Sequence, residues 1–470
     1  MTDLIIANGT VVTSGGVLRT DIAVKDEKIS ALGFRKNFPS ADRLIDASGK
    51  IVIPGGIDPH THFEQARTHV RPPETWDIAS TASAIGGTTT TIDFALQMKG
   101  MTLLDAVKKQ VARAEELSVI DFTTKGYPLI TSPSDFDRML GQMKEVVDYG
   151  VTSFKVYLIY RESGRYVDDW QLYNMMKQAK EMGAMVAIHA ENCFISEENQ
   201  KRLVAEGKTD PIYHAVAKPN LVEEMDIQKC MMLAEESEAW TYMVHVSTRK
   251  GPDIIANYRQ RGLPVFCETC PHYLVLTKDV LEPKLPRGIL YVCSPPLRER
   301  EDVEALWQGI KERKVHLVGS DHVAYTVKQK EDNSANFKSI PNGLSGCEVL
   351  VPLMFDEGVR KRGISLEHFA QLISTHAARI FGIYPQKGII APGSDADMVI
   401  IDPEKKHSLN ATDLHMGSDL SPFEGMDVTG WPIMTILRGN VIVENEEFIG
   451  KPGEGRFVKG KLDKSLIDTL

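Results

Sequence analysis

The sequence lacks the features that mark membrane proteins, secreted proteins and nucleic-acid binders. No apolar run approaches the length that crosses a bilayer. The first residues show no basic segment followed by an apolar one, so we expect no secretory signal. A formal net charge of -10 argues against a general nucleic-acid binder, which needs a basic face. These absences favour a cytoplasmic globular protein.

Cysteine is scarce and scattered. The six cysteines are distributed as in a reduced cytosolic enzyme and show no disulfide framework. Cys267 and Cys270 form a C-x-x-C pair, which is compatible with a structural zinc or a redox site. No second pair accompanies them, so we favour isolated thiols.

The length and the strand pattern predict two domains and a tail. A chain of 470 residues is too long for one ordinary compact domain but long enough for a barrel and a smaller companion. Both chain ends contain short strand-like runs, so we expect residues 1–53 and 380–445 to form one small β-sandwich. The barrel would comprise residues 54–379. The remaining stretch, 446–470, resembles an extended C-terminal tail that packs on something else.

The central region alternates strand-like and helix-like segments. Helical patterns cover Leu103 to Leu117 and Trp170 to Met182, between strand-like runs. This alternation predicts a parallel (β/α)8 barrel of the TIM type, with its functional residues at the carboxyl ends of the strands. The predicted strands are Thr88–Phe94, Asp121–Lys125, Ser153–Leu158, Met185–His189, Tyr242–Val246, Val265–Glu268 and Val315–Gly319.

His60 and His62 follow the apolar run that begins at Ile51. In an extended chain, side chains at i and i+2 point to the same face, so the two imidazoles project together. Converging imidazoles form half of a metal site. Two unrelated polar residues at a strand end would give the same pattern.

Other metal-compatible residues lie in or just after later apolar runs: Lys155, His189, His245 and Asp321. Taken singly, each histidine could be a hydrogen-bonded core residue and the lysine a paired charge. Together they match a pair of first-row divalent ions at the mouth of a barrel. An ammonium cannot bind a metal, but a lysine amine that has reacted with carbon dioxide is a carbamate anion that can bridge two cations. Burial would favour this reaction by lowering the pKa of the lysine.

The chain resembles the amidohydrolase superfamily, and within it the D-hydantoinase/dihydropyrimidinase family. The likeness runs from residue 3 to about 458. Its most specific elements are Ser294-Pro295-Pro296-Leu297-Arg298 and Ile340-Pro341-Asn342-Gly343. Further landmarks are Gly55 to His62, Gly86-Gly87-Thr88-Thr89, Thr152 to Lys155, His189-Ala190-Glu191-Asn192, Gly319-Ser320-Asp321-His322 and Ser421 to Gly425.

The resemblance implies a role for each candidate residue. Two zinc ions per subunit would be held by His60, His62 and Asp321 on the buried side and by His189 and His245 on the exposed side. Lys155, as N6-carboxylysine, would bridge them. Tyr160 would hydrogen-bond the developing oxyanion, although it could be an ordinary rim aromatic. The backbones of Ser294 and Asn342 would hold the cyclic amide, and Asp321 would carry the proton.

The implied reaction is ring opening of hydantoins or dihydropyrimidines to N-carbamoyl amino acids by a hydroxide that bridges the two zinc ions. Allantoinase, dihydroorotase or another cyclic ureide or imide hydrolase would share the metal centre. The Ile-Pro-Asn-Gly element speaks against allantoinase and dihydroorotase. A more remote alternative is a non-catalytic relative that keeps the fold as a scaffold.

The family also implies assembly into a homotetramer or a dimer, with the tail docked on a neighbouring subunit.

Two loops should overhang the site, from Phe63 to Pro73 and from Arg161 to Asp168. The first carries Arg67, His69 and Arg71, and the second carries Arg161 and Arg165. Arg67 and Arg71 are candidate gate residues that would favour small, polar or anionic substrates. Charged side chains on exposed loops also commonly point to water.

Overall fold

The structure, a computed structural model, describes residues 2–13, 15–65, 70–282 and 287–467. Its strands are β1 (Thr2–Ala7), β2 (Thr10–Thr13), β3 (Gly16–Arg19), β4 (Asp21–Lys25), β5 (Lys28–Gly33), β6 (Ala41–Asp46), β7 (Ile51–Pro54), β8 (Gly56–Asp58), β9 (Thr88–Leu96), β10 (Asp121–Tyr127), β11 (Ser153–Tyr157), β12 (Met185–His189), β13 (Trp240–Met243), β14 (Val265–Thr269), β15 (Leu317–Val318), β16 (Met398–Leu409), β17 (Met426–Leu437), β18 (Asn440–Glu444) and β19 (Glu447–Phe448).

The α-helices connect the barrel strands or flank them. They are α1 (Trp76–Ile85), α2 (Leu103–Leu117), α3 (Pro133–Tyr149), α4 (Asp169–Met182), α5 (Cys193–Ala205), α6 (Ile212–Ala217), α7 (Asn220–Ser237), α8 (Gly251–Gln260), α9 (Pro271–Val275), α10 (Arg300–Lys311), α11 (Val327–Asp332), α12 (Leu350–Met354), α13 (Leu366–Ala370), α14 (His376–Ile380) and α15 (Lys464–Ile467).

Strands β8 to β15 form one parallel sheet in chain order, which confirms the predicted barrel. A parallel bridge between Thr61 and His322 joins the segments that follow the first and last of these strands. The backbone amide of His62 donates to the carbonyl of His322 at 3.1 Å. The barrel therefore closes at the end where the candidate ligands lie.

Local sequence explains where the barrel helices begin and which face they bury. The Thr102 side chain accepts from the amide of Asp105, and the Asp105 side chain accepts from the amide of Thr102. This reciprocal cap starts α2 at the predicted residue. Leu103, Val107 and Val111 recur at helical spacing and are buried against the barrel.

The small domain is built from both chain ends, as the strand pattern predicts. One sheet has the order β5-β4-β1-β6, and the other has the order β19-β18-β17-β16-β7-β2-β3. Strand β7 pairs antiparallel with β16 and parallel with β2, so it joins the two halves. Apolar side chains from both sheets meet in one cluster, among them Leu4, Val24, Val52, Ile400 and Ile436. Strand pairing runs on to β19, just past the predicted domain boundary at residue 445.

Gly55 is the joint between the small domain and the barrel, because it separates β7 from β8. A Cβ atom at this position would lie 2.0 Å from Oγ1 of Thr89. Only glycine permits this close approach of the joint to β9. The approach sets the direction in which β8 leads to His60 and His62.

The family resemblance implies that the tail docks on a neighbouring subunit, whereas the structure packs part of it across the amino-terminal end of its own barrel. The amide of Phe122 donates to the carbonyl of Arg456 at 3.0 Å, and the amide of Val458 donates to the carbonyl of Phe122 at 2.8 Å. Further on, the amide of Lys461 donates to the carbonyl of Gly382 at 2.9 Å. Main-chain bonds of this kind do not depend on side-chain identity, so sequence cannot reveal them. Docking of the tail on a neighbouring subunit stays a prediction.

All six cysteines lie within the described residues, and all are buried free thiols. None of the described helices combines the length and the apolar character that crossing a bilayer requires.

Candidate metal centre and substrate cavity

The six predicted metal ligands come together at one end of the barrel. They are contributed by five of its eight strands or by the segments that follow them. His60 and His62 follow β8, Lys155 lies in β11, His189 ends β12, His245 follows β13 and Asp321 follows β15.

His60, His62 and Asp321 form the tightest group. The Nε2 atoms of His60 and His62 lie 3.2 and 3.1 Å from Oδ1 of Asp321. One ligand atom from each of the three residues lies within 4.8 Å of the other two. Nε2 of His60 is buried and makes no hydrogen bond. A buried imidazole nitrogen that faces a carboxylate without a hydrogen bond is suited to a shared cation.

His189 and His245 extend this group along the barrel mouth. Their ring centroids are 4.4 Å apart, and the centroid of His245 is 5.4 Å from that of His60. Nδ1 of His189 is buried without a hydrogen-bond partner. The four imidazoles are therefore contiguous, and at least two of them present buried nitrogens that lack protein partners.

Burial keeps three of these imidazoles neutral, those of His60, His189 and His245. It lowers the pKa of His60 and of His245 well below the ordinary range, and it lowers the pKa of His189 to about 4. A neutral imidazole offers the lone pair that a metal needs. The donor chemistry of the group thus fits divalent cations near neutral pH.

Lys155 lies among these ligands. Its side chain is fully buried, and its Nζ atom is 4.8 Å from the ring centroid of Tyr157. The lysine charge contributes to the lowered pKa of His60, His189 and His245. It therefore lies close to histidines from both predicted ion sites, as a bridging residue must.

Two buried carboxylates, Glu268 and Asp58, support the predicted ligands. The sequence analysis does not predict either of them as a site residue. Oε1 of Glu268 is 2.6 Å from Nδ1 of His60 and accepts from the backbone amide of His245 at 2.8 Å. Oδ1 of Asp58 accepts from the amides of His60 and Ser320 at 3.1 and 3.0 Å. A carboxylate on the far nitrogen fixes the tautomer of a metal-binding histidine. The available signal is that Glu268 ends a predicted apolar strand, as the ligands do.

Two ligands adopt strained backbone conformations. The φ angles of His245 and Asp321 are 40° and 47°, in the left-handed region that disfavours residues other than glycine. Such conformations cost of order 1–3 kcal/mol each and cluster at functional sites. The bond from the His245 amide to Glu268 helps to hold one of them.

A second buried network orients His189. Oε2 of Glu191 is 2.7 Å from Nε2 of His189 and 3.1 Å from Nζ of Lys218, and it accepts from the Ser294 hydroxyl at 2.6 Å. Burial alone would raise the pKa of Glu191, but the Lys218 ammonium and His189 hold it well below its usual range. The Ser294 side chain is thus committed to this network, which leaves its backbone for a ligand.

A cavity of about 440 Å3 opens beside the metal ligands. Its wall contains Asp321 and the three predicted substrate residues, Tyr160, Ser294 and Asn342. Nδ2 of Asn342 donates to the Tyr160 hydroxyl at 3.3 Å, and Oδ1 of Asn342 is buried without a partner. The predicted substrate residues therefore share one cavity with a predicted ligand.

Lys330 fixes the segment that carries Asn342. Its Nζ atom donates to the carbonyl of Gly343 at 2.8 Å and to that of Val292 at 3.1 Å. The amide of Gly343 also donates to the carbonyl of Val292, at 3.1 Å. The segments before Ser294 and after Asn342 are thereby tied together.

The two charged loops differ in what they contribute. Arg67 and His69 lie outside the described residues. Arg71 is exposed, and its Nη2 atom lies 3.2 Å from Oε1 of Glu64, beside a neighbouring cavity of about 460 Å3. Arg161 pairs with Glu197. Arg165 lines the cavity that contains Asp321.

Known proteins resemble this chain in sequence and in fold. The sequence profile of the Amidohydrolase family matches residues 51–442. A D-hydantoinase from Geobacillus stearothermophilus is 40% identical over 456 residues, which cover 97% of this chain and 96% of the relative. A D-hydantoinase from Ralstonia pickettii is 39% identical over 459 residues, which cover 97% and 98%.

Among solved structures, the crystal structure of a dihydropyrimidinase from Brevibacillus agri matches with a TM-score of 0.94 and 38% identity, covering 99% of this chain and all of that one (100%). The chain belongs to the amidohydrolase family, and within it to the D-hydantoinase/dihydropyrimidinase family. The predicted family is therefore confirmed. So is the predicted enzyme class, a hydrolase of the dihydropyrimidinase or D-hydantoinase type.

Proposed function

We propose that this hydrolase opens the ring of hydantoins or dihydropyrimidines to N-carbamoyl amino acids with the aid of two zinc ions. The observation that carries the proposal is that Asp321, which groups with His60 and His62, lines a cavity whose wall also contains Tyr160 and Asn342. Relatives named D-hydantoinase at about 40% identity support the same chemistry.

The ligands divide into two sets. His60, His62 and Asp321 would hold the more buried ion, and His189 and His245 would hold the other. Lys155, as N6-carboxylysine, would bind both. When bound, the two ions lower the pKa of water so that hydroxide is available near neutral pH, and they polarise the substrate carbonyl.

The protein's own groups then divide the remaining work. The Tyr160 hydroxyl donates a hydrogen bond to the carbonyl oxygen as negative charge develops there. Backbone groups of Ser294 and Asn342 orient the cyclic amide. Hydrolysis adds one water across the ring C–N bond, with the oxygen going to carbon. Asp321 accepts the proton that is released and returns it to the leaving nitrogen.

One assay series tests the proposal. Purified enzyme is incubated with hydantoin, dihydrouracil, allantoin and dihydroorotate, and ring opening is followed for each. We expect hydantoin or dihydrouracil to be the preferred substrate. Preference for allantoin or dihydroorotate would contradict the proposal. Metal analysis of the same sample should give two zinc ions per subunit, whereas a chain without metal or activity would be a scaffold.

We extend the proposal to assembly and location. The chain would form a homotetramer, or a dimer, in the cytoplasm, with part of the segment from residue 446 onward at a subunit interface. The reduced state of all six cysteines supports the location. Residues 456–461 contact their own barrel, so we expect the interface to involve other parts of the tail. A monomeric mass by light scattering at micromolar concentration would contradict the assembly.

A further inference from the structure

Arg165 is a fixed cation on the wall of the substrate cavity. Its Nη1 atom donates to the carbonyl of Pro128 at 2.9 Å and to that of Tyr127 at 3.3 Å, and its Nη2 atom donates to the carbonyl of Gln97 at 2.7 Å. The guanidinium also lies 4.6 Å from the ring centroid of Tyr127. These contacts hold the side chain in one place.

The fixed guanidinium retains hydrogen-bonding capacity. It has five N–H groups, and its three carbonyl bonds account for three of them. The Nε–H and one Nη2–H remain. Guanidinium N–H groups that make no bond within the protein can donate charge-assisted hydrogen bonds to a carboxylate.

The charge of Arg165 has no counter-ion among the side chains that the structure describes, since none of their carboxylates forms an ion pair with it. Burial lowers the pKa of Arg165. Lys338 also lines this cavity, so its wall contains a second basic residue. Asp321, a predicted metal ligand, is the one acidic residue among the described lining residues. The part of the cavity near Arg165 is therefore suited to an anion.

Aromatic rings separate Arg165 from the metal ligands. Tyr127 stacks on Tyr157 with ring centroids 5.3 Å apart, and the centroid of Tyr157 is 5.0 Å from that of His189. A ring held at the metal ligands would not itself touch Arg165. An anionic group could reach the guanidinium only at the end of a side chain on that ring.

We infer that Arg165 is a specificity-determining residue that binds a carboxylate on the substituent of the substrate ring, so that the preferred substrates are carboxyalkyl hydantoins or dihydropyrimidines. The inference rests on the proposed function and names the substrate class within it. Arg71, by contrast, is exposed and already paired with Glu64. We therefore assign selection between substrates to the partly buried Arg165 and not to the exposed Arg71.

The test compares two substrates that differ in one group, 5-(2-carboxyethyl)hydantoin and its neutral carbamoyl analogue. We expect the wild type to prefer the carboxylate about tenfold in kcat/KM, as a charge-assisted contact at a partly buried site would give. The preference should fall as salt is added. Arg165→Gln should bring the ratio of the two rates close to one, and Arg165→Lys should give an intermediate ratio.

Arg161→Gln is the matched control, because this arginine lies on the same loop but pairs with Glu197; its ratio should equal that of the wild type. Equal wild-type rates on the two substrates, or an unchanged ratio in folded Arg165→Gln, would overturn the inference. If Arg165→Gln does not fold, the wild-type ratio and its salt dependence decide. If no hydantoin is opened at all, the proposed function fails, and calorimetric binding of the same two compounds decides the inference.

Discussion

The protein contains two groups of three buried donor residues with similar spacing and different chemistry. His60, His62 and Asp321 lie at the carboxyl end of the barrel strands, whereas Asp121, Asp395 and Asp397 lie near the amino end. In each group the ligand atoms lie within 4.8 Å of one another. By distance alone, either group could hold a metal ion.

The second group already holds its cation. Nζ of Lys387 lies 2.6 Å from Oδ2 of Asp397 and 2.9 Å from Oδ2 of Asp395, and it also pairs with Asp121. The Arg438 guanidinium pairs with Asp121 as well. Carboxylates that enclose an ammonium are satisfied without a metal, whereas neutral imidazoles beside one carboxylate are not. The identity of the donors, and not their spacing, therefore distinguishes the candidate metal centre from the structural ion cluster.

The ion cluster also connects separate parts of the chain. Asp121 begins β10, and Asp397 precedes β16, so Lys387 joins the barrel to the small domain. The amide of Arg456 donates to Oδ1 of Asp121 at 2.9 Å, which adds the tail. The cluster therefore connects three parts of the chain, whereas we assign the candidate ligands at the opposite end to the proposed chemistry.

Among the variants that test this comparison, Lys155→Ala should have the largest effect on activity and metal binding. The change should abolish activity and binding of the second ion, because we expect none of the other described residues to supply an anion between the two ligand sets. Lys155→Arg should fail equally, since a guanidinium stays protonated. Turnover and metal content by mass spectrometry are the measurements. Short carboxylic acids should restore part of the rate in the alanine variant, and full activity without them would disprove the bridging role.

Asp321→Asn should have the next largest effect. The amide keeps the size of the side chain but removes its basicity, so we expect turnover to fall at least ~10²-fold, the usual scale for a lost general base. Much of the metal should remain, because the histidines of the group are intact. The control is Asp397→Asn, which alters an acidic residue of the other group. A variant of Asp321 that binds both ions and turns over normally would show that another group carries the proton.

Lys387→Met tests whether the buried ion cluster stabilises the fold. It leaves three buried carboxylates without their shared cation, and breaking a buried pair in this way costs about 3–5 kcal/mol. We expect a lower urea midpoint of unfolding, with metal content and turnover of the folded protein close to wild type. Adding Asp397→Asn should recover part of the loss, because one unpaired charge is removed. An unchanged midpoint in the single variant would mean that the cluster does not stabilise the fold.

The sequence predicts the barrel, which the structure confirms, and the candidate ligands that meet at its mouth, but it does not predict the groups that support those residues. The ligands are visible because each is a polar residue at the end of an apolar strand, and the topology brings strand ends together. Glu268 lies at a strand end too, but its bond to His60 spans 208 positions. The pair of Lys387 and Asp121 spans 266 positions. No local pattern selects such partners, because side-chain contacts across a core depend on the packed structure.

The smallest expected effect belongs to the predicted gate residues, Arg67 and Arg71. Arg71 has 66% of its side-chain surface exposed and already faces Glu64. An exposed ion pair contributes about 0–1 kcal/mol, so Arg71→Ala should change the ratio of rates on different substrates by less than about fivefold, and by less still in high salt.

The measurement is the rate on phenylhydantoin, unsubstituted hydantoin and a carboxylate-bearing hydantoin in the wild type, Arg67→Ala and Arg71→Ala. We expect the wild type to disfavour the phenyl substituent, and each alanine variant to reduce that bias slightly. If phenylhydantoin is the best substrate and neither variant alters the order, the loop arginines do not act as a gate. Charge selection would then depend on partly buried cations such as Arg165, which a bound substrate can desolvate, because water screens the exposed ones.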